Sequence, residues 1–260
     1  MQLPSSERLC AVHMIRAMAR ILLVHGAFGR AAVWDRVAPG LRAAGHEVET
    51  LDLPGQGDDD TPVAEVTLDR YARRVCEALA DGPPAVLVGH SMGGMVITQA
   101  AADCPQHIDR LVYVAAFLPA DGESLIDLTG RPEGAGDAVQ AGLVVEGDPP
   151  VARMPDAAAR EGLMHCCDDE QAAWGISLRG VQPVAPFTHP VRLTGPTAEA
   201  FAGLPRAYVM CLQDRAIRPP LQRFMLSRAG CDPVLEIDTD HCVWASRPDE
   251  LVAALTRLAV

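Results

Sequence analysis

Ser91 lies in the run Val86-Leu-Val-Gly89-His90-Ser91-Met92-Gly93-Gly94, where an apolar segment enters Gly-x-Ser-x-Gly and continues as a helical stretch. Glycines on both sides of the serine permit a cramped strand-to-helix turn. Such a turn lifts the hydroxyl above a sheet and aims the next helix N-terminus at it. The motif alone also fits a plain glycine-rich turn, but the flanking strand and helix favour a nucleophile. A serine hydroxyl becomes nucleophilic when an imidazole accepts its proton, and the imidazole needs an acid to hold its tautomer and stabilise its charged form. Asp214 follows the apolar run Tyr208-Val-Met-Cys-Leu-Gln, and His241 follows Val234-Leu-Glu-Ile and Asp238-Thr-Asp240. Both sit just past the carboxyl end of a strand, where ligands bind in open α/β sheets. Asp238 and Asp240 compete with Asp214 for the acid role, but they are too near His241 in sequence to orient it from across a site.

A tetrahedral acyl intermediate also needs amide donors for its oxyanion. The apolar run Ile21-Leu-Leu-Val ends in His25-Gly26-Ala27-Phe28, so the N–H of Ala27 or Phe28 is one candidate donor and that of Met92 the other. His25 reads as structural and His90 as a shaper of the turn. His13, His46, His107 and His189 have bland readings in the leader, at a strand entry, or beside prolines and helix ends.

The elements that must carry these residues alternate. Apolar runs at Ile21–Val24, Val48–Leu51, Ala85–Gly89 and Leu111–Ala115 are separated by helical stretches at Ala31–Ala44, Thr67–Ala80 and Met92–Cys104. Strands that are apolar on both faces predict a parallel sheet covered by helices on both sides. The rhythm stops near Phe117 and returns at Ala207–Leu212, with a helix over Pro219–Ala229, a strand at Val234–Ile237 and a final helix over Asp249–Leu258. Residues 118–203, with helix-like pieces at Pro155–Cys166 and Asp169–Arg179, are too long for a loop and read as an inserted cap. The expected domain map is a loose leader over residues 1–17, a core over 18–117 and 204–260, and the cap between them.

Composition removes several function classes. The 260 residues carry 22 basic and 34 acidic side chains, a net charge of −12, which leaves no basic patch for nucleic acid. Every basic residue is arginine, so there is no lysine for a Schiff base or a phosphate loop. The 8 cysteines (Cys10, Cys76, Cys104, Cys166, Cys167, Cys211, Cys231, Cys242) form no CxxC pair and read as reduced thiols used mostly in packing. His165-Cys166-Cys167-Asp168-Asp169 reads as a solvated helix entry rather than a metal site, since adjacent residues rarely converge on one ion. Asp58-Asp59-Asp60 reads as a solvated loop. No metal or cofactor motif is found, no apolar run approaches the ~20 residues that span a bilayer, and the expected location is cytoplasmic.

Taken in register, Val24-His25-Gly26-Ala27, Trp34, Asp52-Leu-Pro-Gly-Gln-Gly57, Gly89-His-Ser91-Met-Gly-Gly94, Asp214-Arg-Ala-Ile217 and Asp240-His241 make residues 18–260 resemble α/β-hydrolases. The chain order Ser91, Asp214, His241 is the one expected of that fold. Asp-x-x-Ile followed by Gln222 is similar to the methylesterase and hydroxynitrile lyase branch, which includes bacterial arylesterases and pyrethroid-type carboxylesterases; Arg218 stands where that pattern usually has proline. The resemblance implies a mainly parallel sheet of about six strands flanked by helices with a mostly helical cap. It implies Ser91 as nucleophile, Asp214 as acid, His241 as base, and Ala27 with Met92 as oxyanion donors. In the cyanohydrin-cleaving members a lysine follows the catalytic histidine and a threonine sits in the oxyanion loop. Here Cys242 and Ala27 occupy those places, which disfavours lyase chemistry. Phe28, Phe117, Leu118, Leu163, Trp174, Phe187 and Trp244 are candidates to line an apolar pocket. The expectation is a cofactor-independent carboxylic ester hydrolase acting on small to medium apolar or aryl esters. Hydroxynitrile cleavage, a low-turnover ligand receptor and lactone or polyketide ester tailoring are the alternatives, and a homodimer follows by analogy only.

Overall fold

The computed structural model describes residues 18–259; the leader over residues 1–17, with Cys10 and His13, lies outside the described residues. In chain order the first part comprises β1 (Arg20–Val24), α1 (Ala38–Ala43), β2 (Glu47–Leu51), α2 (Leu68–Ala80), β3 (Ala85–His90), α3 (Gly93–Asp103) and β4 (Ile108–Val114). The middle holds α4 (Leu125–Thr129), α5 (Ala138–Gly142), β5 (Val144–Glu146), β6 (Val151–Arg153), α6 (Asp156–Gly162), α7 (Asp169–Ser177), β7 (Gln182–Pro183), α8 (Ala185–Thr188) and α9 (Ala198–Gly203). The last part is β8 (Arg206–Cys211), α10 (Pro219–Ala229), β9 (Val234–Ile237), α11 (Val243–Ser246) and α12 (Pro248–Leu258).

Six strands form one sheet in the order β2-β1-β3-β4-β8-β9, every pair parallel. Alternate residues of a strand enter different cores. Leu22, Val24 and Leu87 join α2, α3 and α10 on one face, whereas Ile21, Leu23, Val86 and Val88 join α1, α12 and Trp34 on the other. This explains why the runs lack polar alternation: both faces are dry. α3 is buried from Gly93 to Ala102 against the sheet and α2, so all but its last residue, Asp103, is shielded from solvent. α2 is amphipathic, and Thr67 caps it by accepting the Arg70 N–H at 3.1 Å.

The structure departs from the sequence reading at three places. The helix expected over Ala31–Ala44 is split into a 3₁₀ turn at Ala31–Trp34 and α1, because Pro39 has no N–H to continue a helix from the preceding turn and instead starts a new one. Within residues 118–203 the helices are joined by a three-stranded antiparallel sheet, β5-β6-β7, that was not expected; strands of two or three residues are too short to show a period. The reading of all cysteines as reduced thiols is also corrected. Cys76 on α2 and Cys104 at the end of α3 form a disulfide across the packed helix pair, their Cα atoms 6.1 Å apart. A separation of 28 residues hides that contact in the sequence. Cys166, Cys167, Cys211, Cys231 and Cys242 are free. Among the described residues no helix is long and apolar enough to cross a membrane.

One buried side chain secures the segment that follows β4. Tyr208, fully buried on β8, donates its hydroxyl to the Ala116 carbonyl at 2.7 Å and accepts the Ala116 N–H at 3.0 Å. Ala115, just before it, holds a left-handed φ of 41° that a side-chain-bearing residue adopts only when its surroundings enforce it. Tyr208→Phe removes both bonds and leaves two buried backbone groups unpaired. The expected loss is about 1–3 kcal/mol of stability, read as a lowered denaturant midpoint with an unchanged slope.

Candidate active site

The carboxyl ends of β1, β3, β8 and β9 lie on one edge of the sheet. β3 delivers Ser91 with φ 56°. Its backbone is gripped from the β4 side: the Ser91 N–H donates to Val114 O at 3.3 Å, and the Phe117 N–H donates to Ser91 O at 3.1 Å. The motif glycines are required by space. A Cβ on Gly89 would lie 2.6 Å from Gly93 O, and one on Gly93 would lie 2.9 Å from the carbonyls of Val24 and His25. The turn therefore packs backbone on backbone, which only glycine allows.

β8 and β9 bring Asp214 and His241, the candidate acid and base, together. Leu212 N–H donates to Ile237 O at 3.0 Å and Gln213 N–H to Thr239 O at 2.9 Å, extending the ladder past both strand ends. Asp214 emerges beside His241. One carboxylate oxygen of Asp214 accepts the N–H groups of Ala216 at 2.7 Å and Ile217 at 2.9 Å, and the other accepts Nδ1–H of His241 at 2.8 Å. His241 Nε2 in turn accepts the Ser91 hydroxyl at 2.9 Å. Gln222 on α10 donates to the carbonyls of Cys211 at 3.2 Å and Ile217 at 2.6 Å, so it holds the loop that bears the acid. That is the physical content of the Asp-x-x-Ile and Gln222 pattern. Asp238 is exposed and accepts from Gln213, whereas Asp240 is buried and turned away, accepting the Cys166 N–H at 2.7 Å and the Ser246 hydroxyl at 3.0 Å. Neither reaches the His241 ring by a hydrogen bond.

The electrostatics separate three histidines. His90 is pushed well below the ordinary imidazole value by burial, then by the charge of neighbouring His241. Neutral, it donates Nε2–H to the His241 carbonyl at 2.9 Å and supports the base from behind. Burial likewise lowers His25, whose Nε2 accepts the Leu53 N–H at 3.1 Å. His241 goes the other way: burial opposes its charge, but the charge and hydrogen bond of Asp214, with smaller pulls from Asp240 and Asp137, raise it.

The candidate amide donors lie opposite. Phe28, also left-handed at φ 63°, does not offer its N–H to the site, since that N–H donates to Gln182 Oε1 at 3.3 Å. Ala27 and Met92 remain, and among the described residues neither N–H has an acceptor within the chain. Sequence reading missed Gln182. It is fully buried on β7, donates to the Tyr71 hydroxyl at 3.2 Å, and together with the Gly180 N–H bond to Phe28 O at 2.8 Å ties the middle segment to the loop of Ala27 and Phe28. Its one available signal is an amide inside the otherwise apolar Val181-Gln-Pro-Val-Ala-Pro.

Ser91 and His241 open onto a cavity of about 390 Å³. Phe28, Phe117, Leu163 and Phe187 line it, with Ile126 and Val145 half-exposed at its rim. Leu118, Trp174 and Trp244 do not. Leu118 belongs to a separate cavity of about 190 Å³ with Tyr113 and Met225. Trp174 and Trp244 pack edge to face at 5.6 Å, and Trp244 meets His90 at 6.2 Å, so the pair backs the histidines from the other face of the sheet. Asp168 caps α7 through a capping box, the exposed helix entry expected for this stretch, and no group of side chains suited to a metal occurs among the described residues.

Because His241 accepts a proton only when neutral and its value is raised, Ser91-dependent turnover should fall on acidification along a limb above the ordinary imidazole value. Asp240→Asn removes one of the charges that raise it. The limb should then move to lower pH, as read from kcat/KM against pH.

Comparison with known proteins agrees with this geometry. The Alpha/beta hydrolase family matches residues 21–254. The chain is 31% identical to Salicylic acid-binding protein 2 of Nicotiana tabacum, over 92% of this chain and 96% of that one. It is 30% identical to Alpha-hydroxynitrile lyase of Arabidopsis thaliana, again over 92% and 96%. Among solved structures, a pyrethroid hydrolase from Sphingobium faniae JZ-2 superposes with a TM-score of 0.83 at 26% identity, covering 94% of this chain and 98% of the other. A parallel six-stranded sheet with a left-handed serine at the end of β3 and these relatives have one source: the chain belongs to the alpha/beta hydrolase family, in its methylesterase and hydroxynitrile lyase branch.

Proposed function

We propose that the protein is a serine-dependent carboxylic ester hydrolase acting on small to medium esters through an acyl-enzyme. The observation that carries this reading is the unbroken hydrogen-bond line from Asp214 through His241 to Ser91 at the floor of an apolar cavity. Ser91 Oγ attacks the acyl carbon as His241 Nε2 takes its proton, and the imidazolium is stabilised by Asp214. The oxyanion forms against the N–H groups of Ala27 and Met92. Collapse expels the alcohol, which receives the proton from His241. A water molecule then repeats the sequence on the acyl-enzyme, releasing the acid and restoring Ser91. No step calls for a cofactor.

The relatives support the hydrolytic class: they include proteins named Methylesterase 1 of Arabidopsis thaliana and Pyrethroid hydrolase of Sphingobium wenxiniae. Cys242 weighs against cyanohydrin cleavage. Burial pushes its thiol well above the ordinary value, so the position after His241 holds a neutral group and not the cation that the resemblance associates with lyases.

The test is release of p-nitrophenol from an acetate-to-decanoate ester series, with mandelonitrile in parallel. Wild type should show an optimum chain length, Ser91→Ala should lose roughly 10⁴–10⁶ in turnover, and mandelonitrile should persist. Full ester turnover by Ser91→Ala would overturn the mechanism, and saturable ligand binding without turnover would point to a receptor.

A further inference from the structure

The wall of the catalytic cavity is apolar except along one side of the middle segment. There Thr129, Asp137 and Gln140 face in. Asp137 is the only carboxylate among the lining residues, and His241 is the only other ionisable side chain. Asp137 is 8% exposed. One of its oxygens accepts the N–H groups of Val139 at 2.6 Å and Gln140 at 3.4 Å, which caps α5. The other is met only by Gln140 Nε2 at a long 3.3 Å.

No cation in the described chain pairs with this carboxylate. Arg215 and Arg218 belong to the neighbouring loop, and both guanidinium groups turn elsewhere, to the carbonyls of Glu161 and Ala135 respectively. Burial accordingly raises the Asp137 carboxyl. An under-bonded carboxylate in a dry wall is costly unless something brings it positive charge. Capping does not require it. A neutral asparagine or serine caps a helix equally well, and α5 is only 5 residues long. The overall charge of −12 adds a field that draws cations towards the protein.

We propose that Asp137 is a specificity-determining residue that selects esters carrying a protonated amine, the ammonium donating to its under-bonded oxygen, and that it rejects esters carrying a carboxylate. The inference rests on the esterase reading. It adds a charge requirement to a cavity whose other walls select only for shape and apolarity.

The experiment compares three p-nitrophenyl phenylacetates of similar size: unsubstituted, dimethylaminomethyl-substituted and carboxymethyl-substituted. In wild type, kcat/KM should follow the order cationic, neutral, anionic, each step on the order of tenfold to a hundredfold, as for a charge-assisted hydrogen bond in a dry site. Asp137→Asn and Asp137→Ser both keep a capping oxygen. In each variant the spread should collapse to within about threefold, whatever happens to turnover of the neutral ester. A purely structural role would scale all three substrates alike and leave the ratio intact. That result, or a wild type indifferent to charge, overturns the inference. If no ester is cleaved in a Ser91-dependent way, the esterase reading falls separately. Binding of the matching methyl ketones to Ser91→Ala, with and without Asp137→Asn, then decides the charge preference by the same ordering of dissociation constants.

Discussion

The site depends on one imidazole held by both ring nitrogens at once. His241 must keep Nδ1 on Asp214 and Nε2 on Ser91 while 4% exposed, and the three side chains come from the ends of three strands. The ring lies on a loop after β9, so its position would drift unless the loop were tied on several sides. His90 holds its carbonyl. Leu163 O accepts the Cys242 N–H at 3.2 Å, and the buried Asp240 draws in the Cys166 N–H. Two of these ties come from residues 163–166 of the middle segment, so that segment braces His241 as well as roofing the cavity.

The same logic governs the other half of the site. Ser91 and Phe28 both occupy left-handed backbone, a conformation that persists only when neighbours enforce it. For Ser91 the enforcement is the grip of Val114 and Phe117, which Tyr208 secures through Ala116. For Phe28 it is Gln182 and Gly180, reaching across from the middle segment. Asp52 adds a third brace by accepting the N–H of Ala31 at 2.6 Å and that of Asp58 at 3.1 Å, which accounts for the Asp-Leu-Pro-Gly-Gln-Gly motif. The candidate site at the sheet edge is thus held by polar contacts, buried around Ser91 and Phe28 and more open at Asp52, each satisfying a backbone group of a turn.

Much of this was legible in the sequence because strands of a doubly covered parallel sheet announce themselves as apolar runs, and each run ends where a functional residue can stand. Ser91, Asp214 and His241 were located by that rule. The structure brings their side chains into hydrogen-bond contact although Ser91 and His241 are separated by 150 positions. Of the aromatic and aliphatic candidates, Phe28, Phe117, Leu163 and Phe187 face the cavity, while Leu118 faces a separate cavity and Trp174 and Trp244 pack with Trp34 on the other face of the sheet. Local period could not sort them. Short helices and strands of two or three residues have no stable face, and the direction of a side chain there is set by what packs on it.

By itself the sequence determined the alternation of strands and helices outside the middle segment, the glycine turn at Ser91, the dry character of the sheet and the absence of lysine chemistry, because each is read from composition or from neighbouring residues. Tertiary structure alone decided which partner each buried polar group takes: Gln182 on the Phe28 N–H, Asp240 on the Cys166 N–H, and Cys76 on Cys104. Those pairings span tens of residues, and a buried polar group is satisfied by whatever the fold places within hydrogen-bond reach, which no local pattern encodes.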